Sequence, residues 1–284
     1  MEKSRTIAAH AVILPAFDTT TLSDSVKRFL ENGGCSILLG ESREEYLARK
    51  VSDHRKFTET VDTFLRVTKE AEKLAGVLLV SVDQEIGGIC RMHDLTPRFP
   101  DVEELTGYET ASFEEISASV ASAAKDLGVN CFLAPILDVV TGQNPWLSGR
   151  TWSTDPDEIA RISSAYIRGV QTAGVAATAK HFPGFHNIAL DPAIEPGAIV
   201  TEKADSFKPG FIPFADAIGN GVELIMVGPS IVEAFDNEKP ASISPQIIGM
   251  LRSEFGFKGV VMSDDLNSRA TPLKPNSLRS IPII

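Results

Sequence analysis

Cysteine is scarce in this chain: Cys35, Cys90 and Cys131 lie far apart, with no CxxC and no Cys/His spacing. That excludes a disulfide-stapled secreted scaffold and a zinc-finger type of site. An odd count in apolar surroundings reads as buried free thiols in a reducing, cytoplasmic setting. Positive charge is short as well, with 27 Lys and Arg against 38 Asp and Glu and a net charge of -11. This balance argues against nucleic acid and against anionic lipid surfaces, which would repel the chain. No apolar run approaches the roughly 18 residues of a membrane span. The N-terminal IAAHAVILPAF follows Lys3 and Arg5 as a short signal peptide would. It contains His10, ends in Pro15-Ala16-Phe17 and has no small-x-small cleavage site, so it reads as a first core strand. No GxGxxG or Walker loop follows the first strands, which leaves a nucleotide-binding sheet unsupported.

Apolar runs of strand length are abundant. They fall at residues 7–14, 35–40, 77–83, 131–140, 175–182, 223–232 and 259–264, and are near-continuous rather than alternating. That pattern suits strands buried on both faces. Helical patterns lie between them. Residues 112–129 open on a Ser-x-x-Glu capping box and end at Gly128. Residues 155–174 open on Asp155-Pro156 and end at Gly174, and residues 244–257 repeat that arrangement. The alternation predicts parallel βαβ units in an α/β fold, a (β/α)8-type TIM barrel over residues 1–266. The remaining residues, 267–284, hold three prolines and neither helical nor strand period, and read as an irregular tail. No eighth strand–helix unit is visible, so the barrel reads as incomplete at its C-terminal end. Its two open edges would need cover from the tail, a missing strand or a second subunit of a homo-oligomer.

Polar residues gather where barrel chemistry collects, at the C-terminal ends of the strands. They are Asp83-Gln84-Glu85 with Arg91, Asp138, Lys180-His181, Pro229-Ser230 and Ser263-Asp264-Asp265, with Arg150 in the long loop after the fourth strand. The group has no metal-type cluster and calls for no cofactor. Carboxylates and cations together suit a small polyhydroxyl ligand, a carbohydrate or glycoside, and one carboxylate can attack a sugar carbon. Each residue also has a plainer reading: Asp265 as a helix cap, Arg150 as an ordinary ion pair, His186 as a solvated loop histidine.

Several segments resemble family 3 glycoside hydrolases of the β-N-acetylglucosaminidase type. VDQEIGGICRM is similar to the family's VDQEGGRVQR, FLAPILDVV to FAPVLDV, SGRTWSTDP to RSFS-DP and AKHFPG to AKHFPGHG. GVVMSDDL resembles the strand that carries the catalytic aspartate. These matches run in family order from about residue 7 to 266. The resemblance implies that Asp264 is the nucleophile of a retaining hydrolase acting on a terminal β-linked, N-acetylhexosamine-like sugar. It also implies that Asp83, Arg91, Arg150, Lys180 and His181 hold the sugar's hydroxyl groups.

The resemblance breaks in three places. The family's KHFPGHGxxxxDSH ends in an Asp-x-His acid/base dyad, and here the register gives KHFPGFHNIALDPA. Asp191 is kept, but Ala193 stands at the histidine position, and a methyl group cannot carry a proton. His186 or Glu195 is the expected substitute. On the sixth strand the family's Ala-His becomes Gly228-Pro229, and the chain lacks the eighth strand. An alternative reading follows, a degenerate relative that binds sugar without turning it over.

Overall fold

The computed structural model describes residues 2–271. Ten strands form in chain order: β1 (Ala16–Phe17), β2 (Ser36–Leu39), β3 (Leu79–Val82), β4 (Cys131–Phe132), β5 (Ala176–Phe182), β6 (Ile199–Val200), β7 (Leu224–Val227), β8 (Ile231–Val232), β9 (Asp236–Pro240) and β10 (Val260–Ser263). Seven of them make one sheet in the order β1-β2-β3-β4-β5-β7-β10. Every neighbouring pair in it is parallel, as Ser36↔Leu79 and Val260↔Leu224 illustrate. Strands β6, β8 and β9 form a small separate sheet. Because the seven-stranded order follows the chain, each crossover turns the same way and the sheet curls. Ala16 of β1 and Met262 of β10 line the same central cavity. Among the described residues β1 and β10 do not pair, so the curled sheet is an incomplete TIM-like barrel.

The helices cover the outer face. Helix α6 (Thr110–Asp126) packs on α7 (Pro156–Thr172), and α7 packs on α8 (Lys208–Gly219). The start of α7 is the one read from the sequence: the Asp155 side chain accepts from Asp157 N, with Pro156 in the first turn. Phe113, Phe132, Tyr166 and Phe214 are fully buried in the main core. A smaller cluster of Cys131, Leu133, Leu224 and Met226 fills part of the barrel interior.

Four boundaries differ from the sequence reading, one being the run at 223–232, which divides at Gly228-Pro229-Ser230 into β7 of the main sheet and β8 of the small one. Residues 7–14 are not a strand: helix α1 spans Glu2–Ala11, and the strand is confined to Ala16–Phe17. Alanine at 8, 9 and 11 favours helix over strand, and Ile7 and Val12 stay exposed, so no burial overrides that preference. Helix α6 begins before the expected capping box, because Glu109 caps it by accepting from Ser112 N. The run at 131–140 yields only two ladder residues, since Pro135 has no N–H to donate. Of the expected tail, residues 272–284 lie outside the described residues. Residues 268–271 fold back: Ser268 Oγ donates to the Pro192 carbonyl at 2.6 Å and Thr271 Oγ1 to that of Pro229 at 2.5 Å.

Two of the departures from the family pattern meet in space. Phe185 stands where the family's first loop histidine would be, and its ring fills the space beside Gly228. A Cβ at Gly228 would lie 2.1 Å from that ring. The ring is fully buried and meets Trp146 edge-on with centroids 5.3 Å apart. Gly228→Ala is therefore expected to overpack the site and cost about 1–3 kcal/mol. Adding Phe185→Leu should recover part of that loss. Denaturant unfolding checks this, and an unchanged midpoint in Gly228→Ala would contradict the packing.

Candidate active site

A cavity of about 910 Å³ runs through the open curl of the sheet, from the strand starts at Ser36, Leu79, Leu224 and Val260 to the strand ends, where Asp83, Arg150, Lys180, His181, Ala193 and Asp264 line it. Five of the expected site residues thus come together from β3, β5, β10 and the loop after β4. Lys180 and His181 are consecutive, and on a regular strand they would face opposite sides. Between Ala179 and Phe182 the register of β5 against β7 shifts, and both side chains reach the cavity.

The charged floor is closely paired. Lys180 Nζ lies 2.7 Å from Asp83 Oδ1 and 2.7 Å from Glu85 Oε1. Arg150 clasps the same Glu85 through Nη2 at 2.5 Å and Nε at 3.1 Å. Glu85, Lys180 and Arg150 are all buried. Burial alone would raise the Glu85 pKa, but Arg150 and Lys180 outweigh it and hold the carboxyl well below the usual range. Burial likewise works against the Lys180 charge, and Asp83 and Glu85 overcome it, so the ammonium is retained above its ordinary pKa. Gly88 makes room for this arrangement: a Cβ there would meet Glu85 Oε2 at 2.0 Å.

His181 is oriented from behind. Its Nδ1 lies 2.8 Å from Asp138 Oδ2, and Asp138 also accepts from the backbone N–H groups of His181 and Phe185. The ring packs on Trp146 with centroids 4.3 Å apart. With Nδ1 held by Asp138, Nε2 points to Asp264, 3.9 Å from its Oδ2. The other Asp264 oxygen, Oδ1, accepts from Asp265 N at 2.6 Å. Asp264 is partly open, its side chain 18% exposed.

Four expected residues are placed elsewhere. Arg91, expected on the sugar, is fully buried behind the cavity wall. Its guanidinium is forked onto Glu59 at 2.7 and 3.0 Å, and its Nε donates to the Gly40 carbonyl. His186 does not line the cavity. Its ring meets Phe207 edge-on, Nε2 has no hydrogen-bond partner among the described residues, and burial lowers its pKa, which disfavours a proton store. Asp191 is buried in its own loop, where it accepts from Ala193 N at 2.8 Å and from Tyr46 Oη. Arg49 lies 3.7 Å from it. Glu195 is exposed and likewise outside the cavity wall, so neither expected substitute reaches the position of Ala193.

Glu41, Tyr46 and Trp146 line the cavity without having been assigned to it. Glu41 follows Gly40 at the end of β2, so the strand-end rule that found Asp83 would have found it too. Burial first, then Asp83 and Glu85, push its carboxyl up to about 8.

Residues 16–274 match the Glycosyl hydrolase family 3 N terminal domain. The chain belongs to glycosyl hydrolase family 3. A beta-hexosaminidase from Stenotrophomonas maltophilia (strain R551-3) is 33% identical over 205 residues, 68% of this chain and 59% of the relative. The chain thus spans about three-fifths of the length of the curated relatives it matches. Among solved structures, a family 3 beta-N-acetylglucosaminidase from Paenibacillus sp. str. FPU-7 superposes with a TM-score of 0.81 at 26% identity. That match covers 94% of this chain and 50% of the other. A beta-N-acetylhexosaminidase from Beutenbergia cavernae DSM 12333 shares the fold, with a TM-score of 0.78 at 21% identity over 93% of this chain and 79% of that one.

Replacing Glu85 should show how far this family 3 site depends on its paired floor. Glu85→Gln leaves two buried cations with Asp83 alone, and about 3–5 kcal/mol of stability should be lost. Since the folded pKa of Glu85 is depressed, its contribution is full above the ordinary value of 4.5 and is lost as pH falls below it. Unfolding measured from pH 7 down to pH 3 should therefore show a shallower acid decline in Glu85→Gln than in wild type.

Proposed function

We propose that this chain carries the catalytic unit of a retaining glycoside hydrolase that removes a terminal β-linked, N-acetylhexosamine-like sugar. The observation that carries the reading is a partly open Asp264 carboxylate 3.9 Å from His181 Nε2, in the same cavity as the Lys180–Asp83 pair. The names of the relatives, beta-hexosaminidase and beta-N-acetylglucosaminidase, support the choice of sugar. The catalytic unit is taken as residues 1–266, a (β/α)8-type barrel incomplete at its C-terminal end, with 267–284 as its tail. A cytoplasmic setting and a homo-oligomer covering the β1 and β10 edges belong to the same proposal, supported by cysteine usage and by those open edges.

In this mechanism Asp264 attacks the anomeric carbon as the bond to the aglycone oxygen breaks, giving a glycosyl ester on Asp264. Water then attacks the same carbon, frees the sugar and restores the carboxylate. Asp83, Lys180, Arg150 and His181 hold the ring hydroxyls through both steps. The leaving oxygen needs a proton, and the residue at the family's donor position is Ala193. General acid assistance is worth about 10²–10⁴-fold, so its loss slows poor leaving groups most.

A 2-fluoro sugar with an activated leaving group should trap the ester. Mass spectrometry is expected to show the adduct on the peptide that contains Asp264, and Asp264→Asn should abolish turnover of an aryl glycoside without unfolding. Wild-type activity in Asp264→Asn together with its loss in Asp265→Asn would move the nucleophile one residue along. The rate should also fall steeply as the leaving group becomes more basic, and Ala193→His should rescue the poor substrates selectively. A flat dependence on leaving-group pKa would mean that another residue supplies the proton.

The second reading, a sugar-binding relative without turnover, is favoured by Ala193 and by the failure of His186 and Glu195 to reach the cavity. Sugar binding with no trapped adduct would select it.

A further inference from the structure

Glu41 is a buried carboxyl that the proposed mechanism does not use. It lines the cavity one residue past the Gly40 carbonyl, which Arg55 Nη2 and Arg91 Nε both hold at 2.9 Å. That clamp fixes the backbone from which Glu41 projects. Its Oε2 is shielded from solvent and has no hydrogen-bond partner among the described residues. The charged groups that act on it are Asp83 and Glu85 beyond β3 and Lys180 on β5. Lys180 is already shared between Asp83 and Glu85, and among the described residues no cation forms an ion pair with Glu41.

We propose that Glu41 is a specificity-determining residue of the sugar subsite, whose unpartnered carboxyl hydrogen-bonds an uncharged ring hydroxyl next to those held by Asp83 and Lys180. The inference rests on the glycosidase reading. A neutral carboxyl has one donor and one acceptor atom, and a hydroxyl answers both. An ionised Glu41 would be a third carboxylate beside Asp83 and Glu85, and burial already holds it protonated up to about pH 8. Lys180 is held above its ordinary pKa and Arg150 is raised further by Glu85, so neither loses its charge as Glu41 titrates.

The test is calorimetric binding of N-acetylglucosamine from pH 6.5 to 9.5 by wild type, Glu41→Gln and Glu41→Ala, with unfolding midpoints as a folding check. Wild-type affinity should decline above pH 8 toward that of Glu41→Ala, because ionised Glu41 loses its donor and adds a third negative charge beside Asp83 and Glu85. Glu41→Gln keeps a donor and an acceptor, cannot ionise, and should bind with no such decline. Glu41→Ala should bind about 5- to 150-fold more weakly at pH 6.5. Equal pH profiles in wild type and Glu41→Gln, or wild-type affinity in Glu41→Ala, would overturn the assignment and leave the glycosidase reading standing. A Glu41→Gln enzyme that loses kcat only on poor leaving groups, with KM unchanged, would make Glu41 the proton donor instead and also overturn it. Absent sugar binding in wild type, with no adduct on Asp264, would overturn both.

Discussion

Buried charge is the constraint around which this molecule is organised. Lys180, Glu85 and Arg150 are each almost wholly removed from water, and none of them could stay charged there alone. Together with Asp83 they alternate in sign, with contacts of 2.5–2.7 Å along the chain Arg150–Glu85–Lys180–Asp83. That alternation requires the end of β3, the shifted register of β5 and the loop after β4 to arrive within hydrogen-bond reach of one another. It also accounts for Gly88, since any side chain there would displace the Glu85 carboxylate.

Behind this floor a second ionic layer works on the backbone rather than on the cavity. Arg91 and Arg55 share Glu59 and both donate to the Gly40 carbonyl, while Arg55 also meets Glu45 at 2.5 Å. The residue expected on the sugar therefore acts one peptide away from it. A fork of guanidinium donors that is fully matched by Glu59 and a carbonyl has little left to offer a ligand.

The loop that carries the altered acid/base sequence is also explained by its neighbours. Asp191 is occupied by Tyr46 and by its own backbone, Arg43 Nη2 reaches the Ala193 carbonyl at 3.3 Å, and Ser268 and Ala270 both donate to the Pro192 carbonyl. The loop is held from three sides in a form that presents a methyl group to the cavity. Phe185 and Gly228 are a matched pair, so two departures that look independent along the chain are one packing change.

Much of this was legible without coordinates. Near-continuous apolar runs marked β2, β3, β5 and β7, because strands buried on both faces hold few polar residues; β10 was marked in the same way although Val260 is exposed. Asp155-Pro156 marked the start of α7, because capping is a local interaction. The positions of Asp83, Lys180, His181 and Asp264 followed from the rule that a parallel sheet exposes its functional groups where strands end. What the sequence left open depended on partners distant in the chain. The alanine-rich run at 7–14 carried no sign of whether burial would impose a strand. An arginine on the cavity and an arginine behind it are written the same way, and only the position of Glu59, 32 residues before Arg91, separates them. Glu41 remained unassigned because a carboxylate gains its unusual chemistry from desolvation and from neighbours on other strands. By itself the sequence determined most strands of the main sheet, the start of α7 and the list of ionisable groups, which are local matters of polarity and backbone preference. Only the tertiary structure decided which of those groups share a cavity, because pairing and desolvation depend on distances between segments that the chain brings together by folding.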